Sequence, residues 1–422
     1  MSGSPLNDCF LHNKDRLKHH EALAILKKQV KPLDESEDVP LSRALKRVIS
    51  EEITAPLNVP LSDNAAVDGY AFAHSAYETS GGWFPVVIRI AAGDTNPVSL
   101  PAEGAARIFT GASMPAGADT VAMQEDCETH EQDGTNFVAI PPGLKHGANC
   151  RLQGEDIKKG STLFSSGQIL TPQDIAALAS LGRATVRVFK PVKVAIISTG
   201  DELIEPGEEI KAGQVYNSNG PLLENLLSPL PVSITNVGIL PDNLEALKTK
   251  LEALGQAYDV ILTTGGASRG EEDHVLTALD AIGRRHMWQL AIKPGRPMTF
   301  GHIGTAAFIG LPGNPVAAFI CFILYARQII LTLGGAQWQE PVRYPLPADF
   351  AIKNKKPDRR EFLRGILRHE GGKLVVDKFK RDGSGLISGL READGLIEID
   401  EEQTSLKEGE IVSFIPFSAF GI

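Results

Sequence analysis

Residues 192–202 read Val-Lys-Val-Ala-Ile-Ile-Ser-Thr-Gly-Asp-Glu. The run from Val192 to Ile197 is apolar and β-branched without alternation, as expected of a strand buried on both faces, and Ser198-Thr199-Gly200-Asp201-Glu202 forms a loop at its carboxyl end. The pattern recurs. Val232 to Ile239 precedes Pro241-Asp242-Asn243, Val260 to Leu262 precedes Thr263-Thr264-Gly265-Gly266, and Ala306 to Ile309 precedes Pro312-Gly313-Asn314-Pro315. Helical patterns cover Pro221 to Leu227, Leu244 to Leu254, His274 to Ile282 and Pro315 to Leu331. Such alternation over 191–335 predicts a three-layer α/β domain, a parallel sheet with helices on both faces.

Outward from this centre the character changes. Leu11 to Val30 has helical spacing, with His12, His19 and His20 expected on its solvated side, and Ser42 to Ile53 reads as a second helix ended by Ala55-Pro56. Phe84 to Ile90, Ala106 to Phe109, Thr120 to Met123 and Phe137 to Ile140 are short apolar stretches between turn residues, predicting a small β domain over 56–148. Pro172 to Leu181 is again helical, so 1–55 and 149–190 are expected to form one discontinuous helical linker domain around that insertion. Short strands and turns over 340–422 predict a C-terminal β domain.

The chain has 422 residues and a formal net charge of −10, from 52 acidic and 42 basic side chains. This balance disfavours nucleic acid and anionic membrane as partners, so an anionic ligand must be held by local devices. Cys9, Cys127, Cys150 and Cys321 form no C-x-x-C pair, against a thiolate zinc site or a disulfide framework. No basic segment with an apolar core opens the chain, and the longest uncharged apolar run, Val316 to Ala326, is shorter than a bilayer span. A cytoplasmic enzyme is the expectation.

Ligands of open parallel sheets bind beyond the carboxyl ends of the strands. Glycines there, Gly265 and Gly266 in the loop that also carries Ser268, let the backbone approach a phosphate, and the following helix amino termini supply free N–H groups. The same loops carry Asp201, Glu202, Asp242, Glu271, Glu272 and Asp273. Carboxylates beside phosphate imply a bridging divalent cation, Mg²⁺, and the glycine pair of the 263–273 loop tips Asp273 toward that role. Asp242, Glu271 and Glu272 fit helix capping equally well. Lys293 and Arg296 sit on a turn stiffened by Pro294 and Pro297, which favours an anion contact, and Asn314 sits in a fixed Pro-Gly-Asn-Pro turn. Neither G-x-x-x-x-G-K-[ST] nor G-x-G-x-x-G occurs, which disfavours P-loop nucleotide hydrolases and dinucleotide dehydrogenases.

These loops, with Asn64-Ala-Ala-Val-Asp68-Gly69-Tyr70-Ala71 and Arg151-x-x-Gly154-Glu155-Asp156-Ile157, resemble the MoeA family of molybdopterin molybdenumtransferases, which includes the gephyrin E domain. The resemblance runs from about residue 10 to the C-terminus. It implies an elongated four-domain homodimer with a MogA-like molybdopterin-binding domain and a β-barrel-like C-terminal domain. The implied activity is insertion of molybdate into adenylylated molybdopterin, with release of AMP in a Mg²⁺-dependent reaction. The implied functional positions are Asp68, Thr110, Asp156, Glu202, Asp242, Asp273, Lys293, Pro312, Pro315, Arg359 and Ser384. Asp68 and Thr110 are implied to face the partner's α/β domain. A molybdopterin adenylyltransferase and recipient molybdoenzymes are the expected further partners.

Three departures stand out. Ala65-Ala66-Val67 replaces the family's common Ser-Ala-Met, Gln289 replaces a frequent cation, and Arg296 replaces a lysine. Two rival readings are molybdopterin adenylyltransfer, which normally belongs to a compact single-domain protein, and a non-catalytic gephyrin-like dimeric scaffold. The scaffold leaves the acidic loops without a purpose.

Overall fold

The run at 192 becomes the strand Val192–Thr199 of a six-stranded sheet in the computed structural model, which describes residues 16–96, 98–265, 274–381 and 383–422. In space the strands follow the order Val232–Leu240, Val192–Thr199, Val260–Thr264, Ala306–Leu311, Pro297–Ile303, Arg284–Gln289. The first four are parallel, as their continuous apolar runs predict, and Val194, Ala195, Ile196 and Ile197 are fully buried. The last two are antiparallel, so the expectation of a purely parallel sheet is corrected to a mixed one. Arg284–Gln289 begins Arg-Arg-His and lacks an apolar run, and it closes the sheet through backbone pairing rather than hydrophobicity.

Helices cover both faces. Leu247, Leu251 and Leu254 of Leu244–Ala257 and Val275, Ala278 and Leu279 of His274–Ile282 pack with Ala195, Ile197 and Phe308 on one side. On the other side Leu223 and Leu227 of Asn219–Leu227 pack with Val194, Ile196 and Leu262. The helical segment Pro315–Leu333 joins this second core, passing through a π-helical turn at Phe322–Ala326. It is long and apolar enough to cross a membrane, because the helix extends the Val316 to Ala326 run through Arg327 and Gln328, but 89% of its most apolar stretch is buried in the protein core.

The described residues form two compact units, 1–51 with 166–171 and 185–422, and 52–165 with 172–184. In the first, the terminal strands Arg360–Glu370, Gly395–Ile399, Ile411–Pro416 and Tyr344–Pro347 form an antiparallel sheet. Ile292–Lys293 pairs in parallel with the start of Arg360–Glu370, so the segment after the α/β sheet's edge strand becomes the edge of the terminal sheet. The second unit is built on a six-stranded sheet that contains all four predicted strands near 83–140, together with Gly69–Phe72 and Glu128–Gln132.

Two local expectations fail. Only Leu41–Arg43 of the predicted 42–53 helix is helical, and that is a 3₁₀ turn. Val48 and Ile49 are buried and bridge to Ile169 and Val188, where β-branched side chains pack better than on a helix. His19 belongs to the helix His19–Gln29 but is 2% exposed rather than solvated. Its Nδ1 lies 2.6 Å from the Tyr325 hydroxyl, and its ring meets Tyr325 and Phe362 edge-on. Burial lowers its pKa to about 4. His20 is exposed, and His12 lies outside the described residues.

Candidate active site

The strand order reverses direction at Val192–Thr199. One connection leads to Val232–Leu240 on its one side and the next to Val260–Thr264 on its other, which makes the carboxyl ends of Val192–Thr199 and Val260–Thr264 the topological switch point. A cavity of about 730 Å³ opens there, lined by Thr199, Gly200, Glu202, Asn217, Asn219, Asp242, Thr264, Gly265 and the turn Pro312-Gly313-Asn314-Pro315. Gly265 has φ +90°, and a Cβ on it would overlap the Thr199 carbonyl oxygen, so this crossing of two backbones requires glycine.

Side-chain hydrogen bonds tie the loops together. Asn219 Nδ2 donates to Thr264 Oγ1 and to the Gly313 carbonyl, both at 2.7 Å, and Thr264 Oγ1 donates to the Pro312 carbonyl at 3.4 Å. Asn217 Oδ1 accepts from Gly220 N–H at 3.0 Å and from the Ser198 hydroxyl at 3.1 Å. Thr199 Oγ1 and Asn219 Oδ1, both buried, have no hydrogen-bond partner among the described residues. Buried polar atoms in that condition are costly, so these two are placed to meet a polar ligand.

The acids sit at the cavity's edge. Glu202 folds its carboxylate back over Gly200, 2.5 Å from where a Cβ would stand, and Asp242 N–H donates to Asp201 Oδ1 at 3.3 Å. Among the described residues no cluster of three or more His, Cys, Asp or Glu side chains forms a metal cage. Mg²⁺ needs no such cage: it keeps several waters and takes one or two carboxylates together with substrate phosphates, which fits the acids of this cavity. Gly266, Ser268 and Asp273 lie outside the described residues, as do Glu271 and Glu272.

A second cavity of about 440 Å³ adjoins the first, sharing Pro297, Pro312 and Asn314 with it. Six basic residues line it, Arg16, Lys293, Arg296, Arg359, Arg364 and Lys378, with Ser384 and, among the described residues, no acidic one. In a chain of net charge −10 this is a local concentration of positive potential. Arg364 is held by the Leu386 and Arg381 carbonyls at 3.0 and 2.7 Å, its guanidinium 4.7 Å from the Phe379 ring centroid. Arg359 donates through Nε and Nη2 to Glu361 Oε1. Arg296 Nη2 donates to Gln289 Oε1 at 3.3 Å, so two of the sequence's departures from the family pattern touch each other. Asn314 is the N-cap residue and Pro315 the first residue of the helix Pro315–Cys321, whose Val316 N–H donates to the Ser384 carbonyl.

Asp68, Thr110 and Asp156 belong to the second compact unit. Asp68 Oδ1 accepts from Thr110 N–H at 2.8 Å and from its hydroxyl at 2.7 Å; these bonds, the backbone one foremost, hold the Asp68 pKa below the usual carboxylate range. Nearby, Arg107 stacks between Tyr70 and Phe109, with 5.1 and 4.8 Å to the ring centroids. Asp156 is exposed and its N–H donates to the Val59 carbonyl. Ala65, in the place of the family's common serine, is fully buried.

The structure therefore gathers Glu202, Asp242, Gly265, Pro312, Asn314 and Pro315 at one cavity and Lys293, Arg296, Arg359 and Ser384 at its neighbour. Sequence reasoning missed Arg16, Arg364, Lys378, Asn217 and Asn219. The signal for Arg364 was present: Arg359-Arg-Glu-Phe-Leu-Arg364 puts three guanidinium groups into six residues of a β segment.

Three family models match successive parts of the chain: the MoeA N-terminal region, domains I and II, over residues 17–182; a probable molybdopterin binding domain over 195–332; and the MoeA C-terminal region, domain IV, over 346–417. A molybdopterin molybdenumtransferase of Haemophilus influenzae is 37% identical over 91% of this chain and 94% of its own length. One from Bacillus subtilis is 30% identical over 90% of each. Among solved structures, a molybdopterin biosynthesis MoeA protein from Pyrococcus horikoshii matches with a TM-score of 0.80 and 30% identity, covering 95% of this chain and 100% of the other.

Proposed function

Since the chain belongs to the MoeA family of molybdopterin molybdenumtransferases and is an enzyme of molybdenum cofactor biosynthesis, we propose that it takes adenylylated molybdopterin and molybdate as substrates and releases molybdenum cofactor and AMP. One observation carries this reading: a cavity lined by six basic residues and, among the described residues, no acidic one opens directly off a glycine-lined cavity edged with carboxylates. A tetrahedral dianion suits the first, and an adenylyl phosphate with a hard cation suits the second.

The switch-point cavity binds the adenylylated end. Gly265 gives the phosphates close approach to the backbone, Thr199 Oγ1 and Asn219 Oδ1 offer buried hydrogen-bonding atoms, and Gly266 and Ser268 are further binding residues by their place in the sequence. Asp242 and Asp273 would hold Mg²⁺, which would supply charge neutralisation to the bound phosphates. Arg359, Lys293, Arg296 and Ser384 bind and orient molybdate beside the dithiolene, with Pro312, Asn314 and Pro315 as the rigid wall between the two ligands. Two Mo–S bonds replace two Mo–O bonds, and the two oxygens leave as water; AMP leaves when one water adds across the phosphoanhydride, giving AMP and the pterin phosphate. Two of the four protons needed come from the thiols, and Glu202, exposed at the cavity edge, relays the other two from solvent.

The enzyme acts as a cytoplasmic homodimer in which Asp68 and Thr110 of one protomer complete the partner's site. A molybdopterin adenylyltransferase supplies the substrate, and molybdoenzymes take the product. Arg359→Ala tests the pocket assignment: the molybdate concentration for half-maximal insertion should rise about tenfold or more, as expected for loss of a charge-assisted bidentate donor, with the apparent affinity for adenylylated pterin unchanged. An unaltered molybdate dependence overturns the assignment.

A further inference from the structure

We propose that Glu361 is a positioning residue for the oxyanion pocket: it fixes the guanidinium of Arg359 and, by its own charge, lowers the pocket's affinity for anions. This rests on the reading of the cationic cavity as the molybdate site. Glu361 does not line the cavity; it stands behind the wall, its side chain 8% exposed. Strand pairing puts it there, because Lys293 and Glu361 are direct partners in the parallel pairing of Ile292–Lys293 with Arg360–Glu361. The strand start is itself anchored, since Arg360 ion-pairs with the buried Glu398 at 2.5 Å and with Glu401 at 2.9 Å.

Of the cations around Glu361, Lys355 is buried and donates to the Lys356 and Glu401 carbonyls, and the two that line the cavity are held unequally. Arg359 gives Nε and Nη2 to the single oxygen Oε1 at 3.0 and 2.8 Å, a two-point grip that sets the plane of the guanidinium and leaves its remaining N–H groups for the cavity. Lys293 Nζ is 3.6 Å from Oε2, beyond hydrogen-bonding distance, and its side chain is 44% exposed. Arg359 is thus the fixed donor, and Lys293 is the one that turns toward an arriving anion.

The carboxylate also opposes the ligand. A dianion on Arg359 and Lys293 shares both cations with Glu361 and is repelled by it through a poorly solvated wall. Equal tightening on substrate and transition state would raise affinity without raising turnover, whereas a fixed guanidinium favours one ligand geometry over others. A charge that weakens binding and sharpens orientation suits an enzyme that must release its anion into a new bond rather than store it.

The test is Glu361→Gln in the full-length protein, with molybdate and sulfate binding measured by calorimetry and insertion measured with adenylylated molybdopterin. Loss of the repelling charge should tighten both anions about three- to tenfold. Loss of the grip on Arg359 should slow insertion about tenfold at saturating molybdate. A merely structural role would weaken binding and turnover together. Glu361→Asp keeps the charge but shortens the reach, so its molybdate affinity should stay within about twofold while insertion slows, and it decides the matter alone if Glu361→Gln does not fold. Unchanged or weaker anion binding in Glu361→Gln, or undiminished insertion in either variant, overturns the role of Glu361. Wild-type protein that takes up no molybdate overturns the reading of the pocket itself.

Discussion

Gly265→Ala strikes at the crossing that makes the switch-point cavity. Gly265 holds φ +90°, where an alanine costs about 1–3 kcal/mol. Its new Cβ would also overlap the Thr199 carbonyl oxygen, a backbone atom of a buried strand that cannot swing aside as a side chain would. Overpacking of that kind costs about 1–3 kcal/mol, so the total is about 2–6 kcal/mol, and the relief must come from moving one of the two loops that floor the cavity. Displacement by about 1 Å at such a place lowers catalysis about a hundredfold. Gly313→Ala is the internal control for stability: its Cβ would meet nothing closer than Gly265 Cα at 3.7 Å. Thermal and urea unfolding of the two variants, with cofactor insertion by each, is the assay. Gly265→Ala that melts with the wild type and inserts molybdenum at the wild-type rate would show that the cavity floor is not as described.

Two further outcomes follow from the same geometry. Burial lowers the His19 pKa from 6.5 to about 4, so the folded state binds fewer protons than the unfolded chain; the contribution is complete above pH 6.5 and is lost as pH falls toward 4. That loss is about 3 kcal/mol at most, read as a fall in denaturation midpoint across this window, and a His19→Phe variant should lack it; an equal fall in the variant refutes the assignment. Mixing protomers tests the shared site. Asp68→Ala and Lys293→Ala homodimers should each be inactive, while random reassociation puts half the molecules into heterodimers with one intact site of two, recovering about a quarter of the wild-type rate. No recovery places all the functional groups of a site on one chain.

Much of the fold was legible because its central strands declare themselves. Apart from the exposed Lys193 and the half-buried Ala307, Val192 to Ile197, Val260 to Leu262 and Ala306 to Ile309 are buried, and a sheet so covered leaves little room for polar residues. The two antiparallel strands were not legible: Arg284–Gln289 is polar, and Pro297–Ile303 follows a Pro-Gly-Arg turn, so both depend on pairing with a neighbour already in place. The predicted helix at 42–53 failed for the same reason, since Val48 and Ile49 are claimed by Ile169 and Val188, far along the chain. His19 read as solvated because its partner, Tyr325, lies 306 residues away.

The site divides in the same way. Its loops follow from strand-glycine-helix punctuation, which is local, and Gly265, Asp242 and Asn314 meet where that punctuation puts them. The cationic cavity is assembled from Arg16, the 293–296 turn and the strand from Arg359 to Arg364, brought together by a two-residue parallel pairing that no local pattern announces. Glu361 was invisible for a further reason. A carboxylate among arginines reads as surface charge until the strand register shows it beneath two cations.

The central claim is the coupling of the two cavities in one reaction, and reconstitution tests it directly. Purified protein is given adenylylated molybdopterin, molybdate and Mg²⁺, and AMP and molybdenum cofactor are measured together. AMP and cofactor are expected in equal amounts, both dependent on Mg²⁺ and on molybdate. Cofactor formed without AMP, AMP released without cofactor, or adenylylated pterin made from ATP in place of either would contradict it.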